Sequence, residues 1–239
     1  MLEARHLTKR YEGAPAAALD HLNLTVQAGE VFCLLGPNGA GKTTTVNLFL
    51  NFISPTEGQA LVCGIDSARD PLGARAKLAY IPETVMLYGA LSGLENLQYF
   101  TQISGAIIEP SEILSLLESA GLTSEAAVRP VRDYSKGMRQ KVGVAIALAR
   151  RAQALVLDEP TSGLDPLAAN EFAALIERLR RDGMAVLMVT HDLFLAKQCG
   201  TKIGIMANGK LASIFGADDV DHQGLERAYI DLFRKGVAA

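Results

Sequence analysis

Several short segments of this 239-residue chain carry residue types whose spacing suits the chemistry of a polyphosphate. Gly36, Pro37, Asn38, Gly39, Ala40, Gly41, Lys42 and Thr43 spell GxxxxGK[ST], followed by Thr44. The glycines let backbone N–H groups converge on phosphate oxygens, and a helix starting there adds the positive end of its dipole. Lys42 is the cation for the outer phosphates, and the Thr43 hydroxyl is a candidate ligand for Mg²⁺. Much later, the apolar run Ala154 to Leu157 ends in Asp158 and Glu159. Carboxylates at the end of a buried strand are costly unless paired or metal-bound. Asp158 therefore reads as a second Mg²⁺ ligand, and Glu159 as the base that orients and deprotonates water.

Two further groups complete this set. Tyr134-Ser135-Lys136-Gly137-Met138 opens an apolar helix, and a Ser/Gly loop at a helix N-terminus is a second anion site. His191 follows the strand Ala185 to Val189, where an imidazole can donate to a terminal phosphate. Each feature alone has a plainer reading: Asp-Glu as the start of a solvated loop, Ser135 as an ordinary N-cap, His191 as a surface histidine.

The elements that must hold these residues alternate. Val31 to Leu35 reads as a buried strand, with a helix over Thr43 to Phe52. Leu155 to Leu157 and Ala185 to Val189 read as further central strands around a helix from Pro166 to Arg180. Ile203 to Met206, Asn208-Gly209 and Leu211 to Phe215 form a hairpin signal. This pattern is α/β with a parallel sheet. Strand signals vanish from Gly93 to Ala149, so a helical subdomain over about 88–150 is expected inside one domain spanning 1–235. Ser111 is the expected cap of a helix carrying Ile113, Leu114, Leu116 and Leu117, with Gly121 as its stop.

Composition bounds the function. Hydrophobic residues make up 49% of the chain and charged ones 21%, which gives a packed core. A formal net charge of −3 offers no polycationic surface for nucleic acid. Cys33, Cys63 and Cys199 lack metal-type spacing and read as reduced thiols. No stretch nears the roughly 20 apolar residues that span a bilayer. Any membrane part is therefore expected on another chain.

Taken together, these residues resemble the ATP-binding subunits of ABC transporters over nearly the whole chain. GPNGAGKTT is similar to Walker A, LVLDE to Walker B, and YSKGM to a variant of the LSGGQ signature. Ser162-Gly-Leu-Asp165 resembles the D-loop, Thr190-His191 the switch histidine, and Tyr11 the aromatic residue that stacks on adenine. The resemblance implies a P-loop NTPase with a RecA-like core, an antiparallel β lobe and an inserted helical subdomain. It also implies ATP and Mg²⁺ as cofactors, a separate integral membrane permease, and a head-to-tail dimer, expected to pair identical chains. Each ATP would lie between the phosphate loop of one subunit and Ser135 and Gly137 of the other.

The chain departs from the family pattern at Glu83, where the Q-loop usually has Gln, and at Lys136 and Met138 in the signature. Glu83 is read as a further Mg²⁺ ligand that links the nucleotide to the permease. Pro-Glu and SKGMRQ resemble subunits that serve type-2 exporter permeases, and so does the tail Leu225 to Leu232. The expected function is ATP hydrolysis driving export at the cytoplasmic face of the membrane. An importer motor, or a soluble ATPase acting on ribosomes or DNA, are the alternatives.

Overall fold

A computed structural model describes residues 1–235. The chain begins with β1 (Leu2–Lys9) and β2 (Leu19–Val26), an antiparallel pair joined by the loop that carries Tyr11. Next come β3 (Val31–Leu35) and helix α1 (Lys42–Phe49). Helix α1 is shorter than its apolar spacing predicts. Asn51 turns left-handed at φ 53°, and the Phe52 and Asn51 N–H groups reach back to Asn47 and Leu48 carbonyls at 2.8 and 3.2 Å. That closure satisfies the terminal carbonyls and stops the helix before Phe52.

Strands β4 (Glu57–Val62) and β5 (Ile65–Asp66) complete an antiparallel sheet of order β2-β1-β4-β5. Helix α2 (Pro71–Lys77) leads into β6 (Leu78–Ile81). Only helices follow until α6: α3 (Gly93–Ile103), α4 (Pro110–Ser119), α5 (Ser124–Ala127) and α6 (Lys136–Ala149). The cap of α4 differs from the expectation. Ser111 lies inside the first turn, and Glu109 is the N-cap, its N–H donating to Glu112 at 3.3 Å. Pro110 decides this, because its fixed φ and missing N–H suit the first helical position.

The remainder is β7 (Ala154–Asp158), α7 (Pro166–Arg181), β8 (Ala185–Val189), α8 (Leu193–Cys199), β9 (Lys202–Ala207), β10 (Lys210–Gly216) and α9 (His222–Lys235). The hairpin read from Asn208-Gly209 is the β9–β10 pair. The larger sheet has the order β10-β9-β3-β8-β7-β6, parallel except at β10.

Both faces of this sheet are covered, which explains its unbroken apolar strands. Cys33, Leu157 and Met188 face a core shared with α3, α4, α6 and α7, while Leu34, Val156 and Leu187 face α1 and the antiparallel sheet. Because the central strands are parallel, the segments after β3, β6, β7 and β8 emerge at one edge. These are the phosphate loop, Glu83, Asp158-Glu159 and His191. The sheet is what gathers them.

Candidate active site at the sheet edge

The phosphate loop leaves β3 at Gly36 and enters α1 through Gly41, the helix N-cap, at φ 108°. A Cβ at Gly41 would lie 2.7 Å from the Ala18 carbonyl oxygen, so no side chain fits there. Helix α1 begins with neither a side-chain cap nor an acidic residue in its first turn. Its leading N–H groups therefore point into a cavity of about 370 Å³ lined by Ala18, Pro37, Asn38, Gly39, Gly41, Lys42, Thr43 and Thr44. Ala40 is buried beneath the loop. The Lys42 ammonium donates to the Gly36 carbonyl and, at 3.1 Å, to that of Pro37. Burial lowers its pKa, and the charges of Glu159 and Asp158 oppose that shift. A cation held only by loop carbonyls and nearby acids is ready for phosphate.

A larger hollow of about 530 Å³ lies beside Asp20, His21 and Lys210. There Lys210 and His21 already pair with Asp20, so no charge is left for a ligand.

Asp158 ends β7 half-buried. Burial raises its pKa most, Glu159 and Glu83 add to the rise, and the Tyr80 hydroxyl and Lys42 oppose it. Tyr80, from the adjacent β6, donates to Asp158 Oδ2 at 3.4 Å, and its own pKa is pushed up to about 12 by burial and that carboxylate. The phenol thus remains a donor. Among the described residues, no three His, Cys, Asp or Glu side chains could cage a metal ion. A partly desolvated Asp158 at the end of β7 nevertheless suits Mg²⁺, which takes few protein ligands and fills its shell with phosphate oxygens and water.

Glu159 adopts a left-handed backbone at φ 46°, fixed by its N–H on the Val189 carbonyl at 2.8 Å. Such strain in a residue with a Cβ costs about 1–3 kcal/mol and clusters at functional sites. It turns the carboxylate toward β8. Glu159 Oε1 meets His191 Nδ1 at 2.9 Å, and Oε2 accepts from the Thr190 hydroxyl at 3.2 Å. Glu159 and His191 are therefore joined directly.

Glu83 follows Pro82 and is exposed, with Oε1 accepting from the Ser162 hydroxyl at 2.8 Å and 3.6 Å from Lys136 Nζ. Its pKa is lowered, first by Ser162 and then by the Lys136 charge. Its carbonyl accepts from Gln140 Nε2 at 3.2 Å. Ser135 caps α6, its hydroxyl accepting from the Met138 N–H at 3.3 Å. Tyr134 sets that turn by burying its ring and donating to the Ala126 carbonyl at 2.6 Å. Among the described residues, no hydrogen bond or ion pair joins Ser135 or Gly137 to the phosphate loop. Tyr11 is exposed with Lys9 Nζ 5.3 Å from its ring centre, in the loop that returns to Ala18.

The sequence reading missed Tyr80 and Gln140. Gln140 carried a faint signal as a lone amide entering an apolar helix. Tyr80 needs the register of β6 on β7 to be seen.

Residues 19–162 match the family model described as ABC transporter. The chain belongs to the ABC transporter family. It is 36% identical over 243 residues to YbhF of Escherichia coli (strain K12), a probable multidrug ABC transporter ATP-binding protein. That match covers 97% of this chain but 41% of YbhF, so the chain spans under half of that relative. The lantibiotic transport ATP-binding protein SrtF of Streptococcus pyogenes is 35% identical over 88% of this chain and 89% of its own. Among solved structures, the dimeric post-hydrolysis state of the cassette MJ0796, bound to ADP and Pi, superposes with a TM-score of 0.78. It has 27% identity and covers 91% of this chain and 99% of that one.

The chain is thus an ABC ATPase domain, and the resemblance and the P-loop NTPase architecture expected from sequence both hold. No helix among the described residues is long and apolar enough to cross a membrane.

Proposed function

We propose that this ABC domain hydrolyses MgATP to drive export, as a peripheral motor on the cytoplasmic face of a membrane, attached to a permease on another chain. The observation that carries the reading is the Glu159 carboxylate, gripped by His191 and Thr190 beside Asp158 and Lys42. Lys42 and the α1 N-terminus bind the β- and γ-phosphates, and Tyr11 stacks on the adenine. Thr43 and Asp158, with Glu83 nearby, would hold Mg²⁺, which neutralises charge on the phosphate oxygens when bound. Glu159 takes the proton of the attacking water while His191 fixes its orientation and donates toward the γ-phosphate. Ser135 and Gly137 complete the site of a second copy. Export is supported by the Pro-Glu and SKGMRQ segments and by the multidrug and lantibiotic relatives. An importer would instead be marked by capture of a substrate-binding protein, and a net charge of −3 disfavours a nucleic-acid partner.

Glu159→Gln tests the central claim. It should preserve ATP binding, cut turnover by about 10²-fold or more, and trap an ATP-bound dimer. Near-normal hydrolysis would remove Glu159 from the role.

A further inference from the structure

One stripe of α6 runs along the Ile81–Glu83 segment. Lys136 and Gln140 lie about one helical turn apart and grip the same residue from two ends. Gln140 Nε2 holds the Glu83 carbonyl at 3.2 Å, and Lys136 Nζ lies 3.6 Å from Glu83 Oε1. Three residues further on, a Cβ at Gly143 would lie 3.5 Å from Ile81 Cγ2, so the helix and this segment are in close register. The same Glu83 oxygen accepts from Ser162 at 2.8 Å.

The two grips differ in kind. Gln140 is fully buried and cannot swing away. Its grip keeps the Glu83 backbone with the signature helix. Lys136 and Glu83 are 31% and 52% exposed at their side chains, and their contact is long. Such a pair is weak, because water solvates both ends and long side chains lose freedom in forming it. It holds the ammonium only until a stronger anion arrives, and a terminal phosphate carries more charge and more acceptor oxygens than one carboxylate. Lys136 stands between Ser135 and Gly137, the residues read as facing the nucleotide of a second copy.

We infer that Lys136 exchanges partners: Glu83 of its own chain holds it in the separate protomer, and on dimer closure its ammonium moves to the terminal phosphate bound on the partner protomer. This rests on the shared-site dimer proposed above. Glu83 thereby restrains the signature cation until nucleotide fills the opposite site.

The exchange has a signature that a purely structural ion pair lacks. Removing either member of a structural pair moves a property in one direction, whereas here the two members act in opposite directions. The experiment uses the full chain carrying Glu159→Gln, at saturating MgATP, with the dimer dissociation constant measured by sedimentation across protein concentration. Glu83→Gln should tighten the dimer about two- to fivefold by freeing Lys136. Lys136→Met should weaken it about tenfold or more, and Lys136→Gln should repeat that result. Adding Glu83→Gln to Lys136→Met should change nothing further. Both side chains reach solvent, so folding should persist, and circular dichroism melts of each variant check it. Shifts in the same direction, or no shift, overturn the exchange. Tightening by Glu83→Gln in the Lys136→Met background also overturns it, because general charge repulsion would then suffice. A Glu159→Gln parent that stays monomeric in MgATP sinks the shared-site dimer itself, a distinct failure.

Discussion

The starts of α1 and α6 are both read as anion sites, yet they are finished differently. Helix α1 begins with no side-chain cap, and its Lys42 ammonium rests on loop carbonyls. Helix α6 begins with Ser135 already accepting the Met138 N–H, and its Lys136 already facing Glu83. The glycines repeat the contrast. A Cβ at Gly41 would collide with the Ala18 carbonyl at 2.7 Å, whereas one at Gly137 would meet nothing closer than 3.5 Å. Glycine at 41 is explained by this chain's own packing, and glycine at 137 is not. The first start has no side-chain cap and the second is satisfied within its own chain, which fits the proposal that α1 binds its own chain's nucleotide and α6 that of a second copy.

The largest effect expected from this contrast is at Lys42. Lys42→Ala removes the charge-assisted contact to the phosphates, and ATP affinity of the isolated chain should fall by about 10²-fold. Fluorescent nucleotide binding measures this. A loss below about threefold would mean the loop's N–H groups alone supply the affinity.

Ser135→Arg attacks the other start. Binding to the isolated chain should stay within about twofold, because Ser135 makes no contact with the phosphate loop, while turnover should collapse as the side chain fills the dimer interface. Mixing Ser135→Arg chains with Lys42→Ala chains sharpens the comparison. A mixed dimer contains one site with both halves intact, so partial activity should return. A Ser135→Arg chain with weakened ATP binding would show that α6 serves its own chain's nucleotide after all.

How far the sequence led follows the same physics. Strands β3, β7 and β8 were legible because a strand covered on both faces is continuously apolar, and each ends at a motif of fixed spacing. The gathering of Lys42, Asp158, Glu159 and His191 at one edge followed from parallel topology. The cap of α4 was misread because Ser111 resembles a cap, while Pro110 at the first helical position placed the cap two residues earlier, at Glu109. The overlong α1 overlooked Asn51 as a left-handed stop. The Glu83–Lys136 pair was hidden because it joins segments on either side of three helices, and neither residue signals the other locally. The left-handed turn at Glu159 had no signal in its residue type.

The smallest predicted effect tests the strand that serves both starts. Strand β6 carries Tyr80, bound to Asp158 in the nucleotide half, and then delivers Glu83 to the signature half. Tyr80→Phe removes one hydroxyl and keeps the ring, including its edge contact with Phe52 at 6.5 Å. The lost hydrogen bond lowers the Asp158 pKa in the intact protein, so its removal must let that pKa rise further above the ordinary carboxylate value. Asp158 must be ionised to help hold Mg²⁺, so activity requires a pH above its pKa. The acidic limb of the pH profile of kcat/KM should therefore move upward. A hydrogen bond contributing about 0.5–1.5 kcal/mol limits the move to about one pH unit. Dimerisation in saturating MgATP at pH 8 should not change, because Glu83 still reaches Lys136 and Ser162. An unmoved acidic limb, or one displaced downward, would strip Tyr80 of its hold on Asp158. A weakened dimer at pH 8 would show that β6 transmits strain between the halves, and the two helix starts could then no longer be treated as independently built.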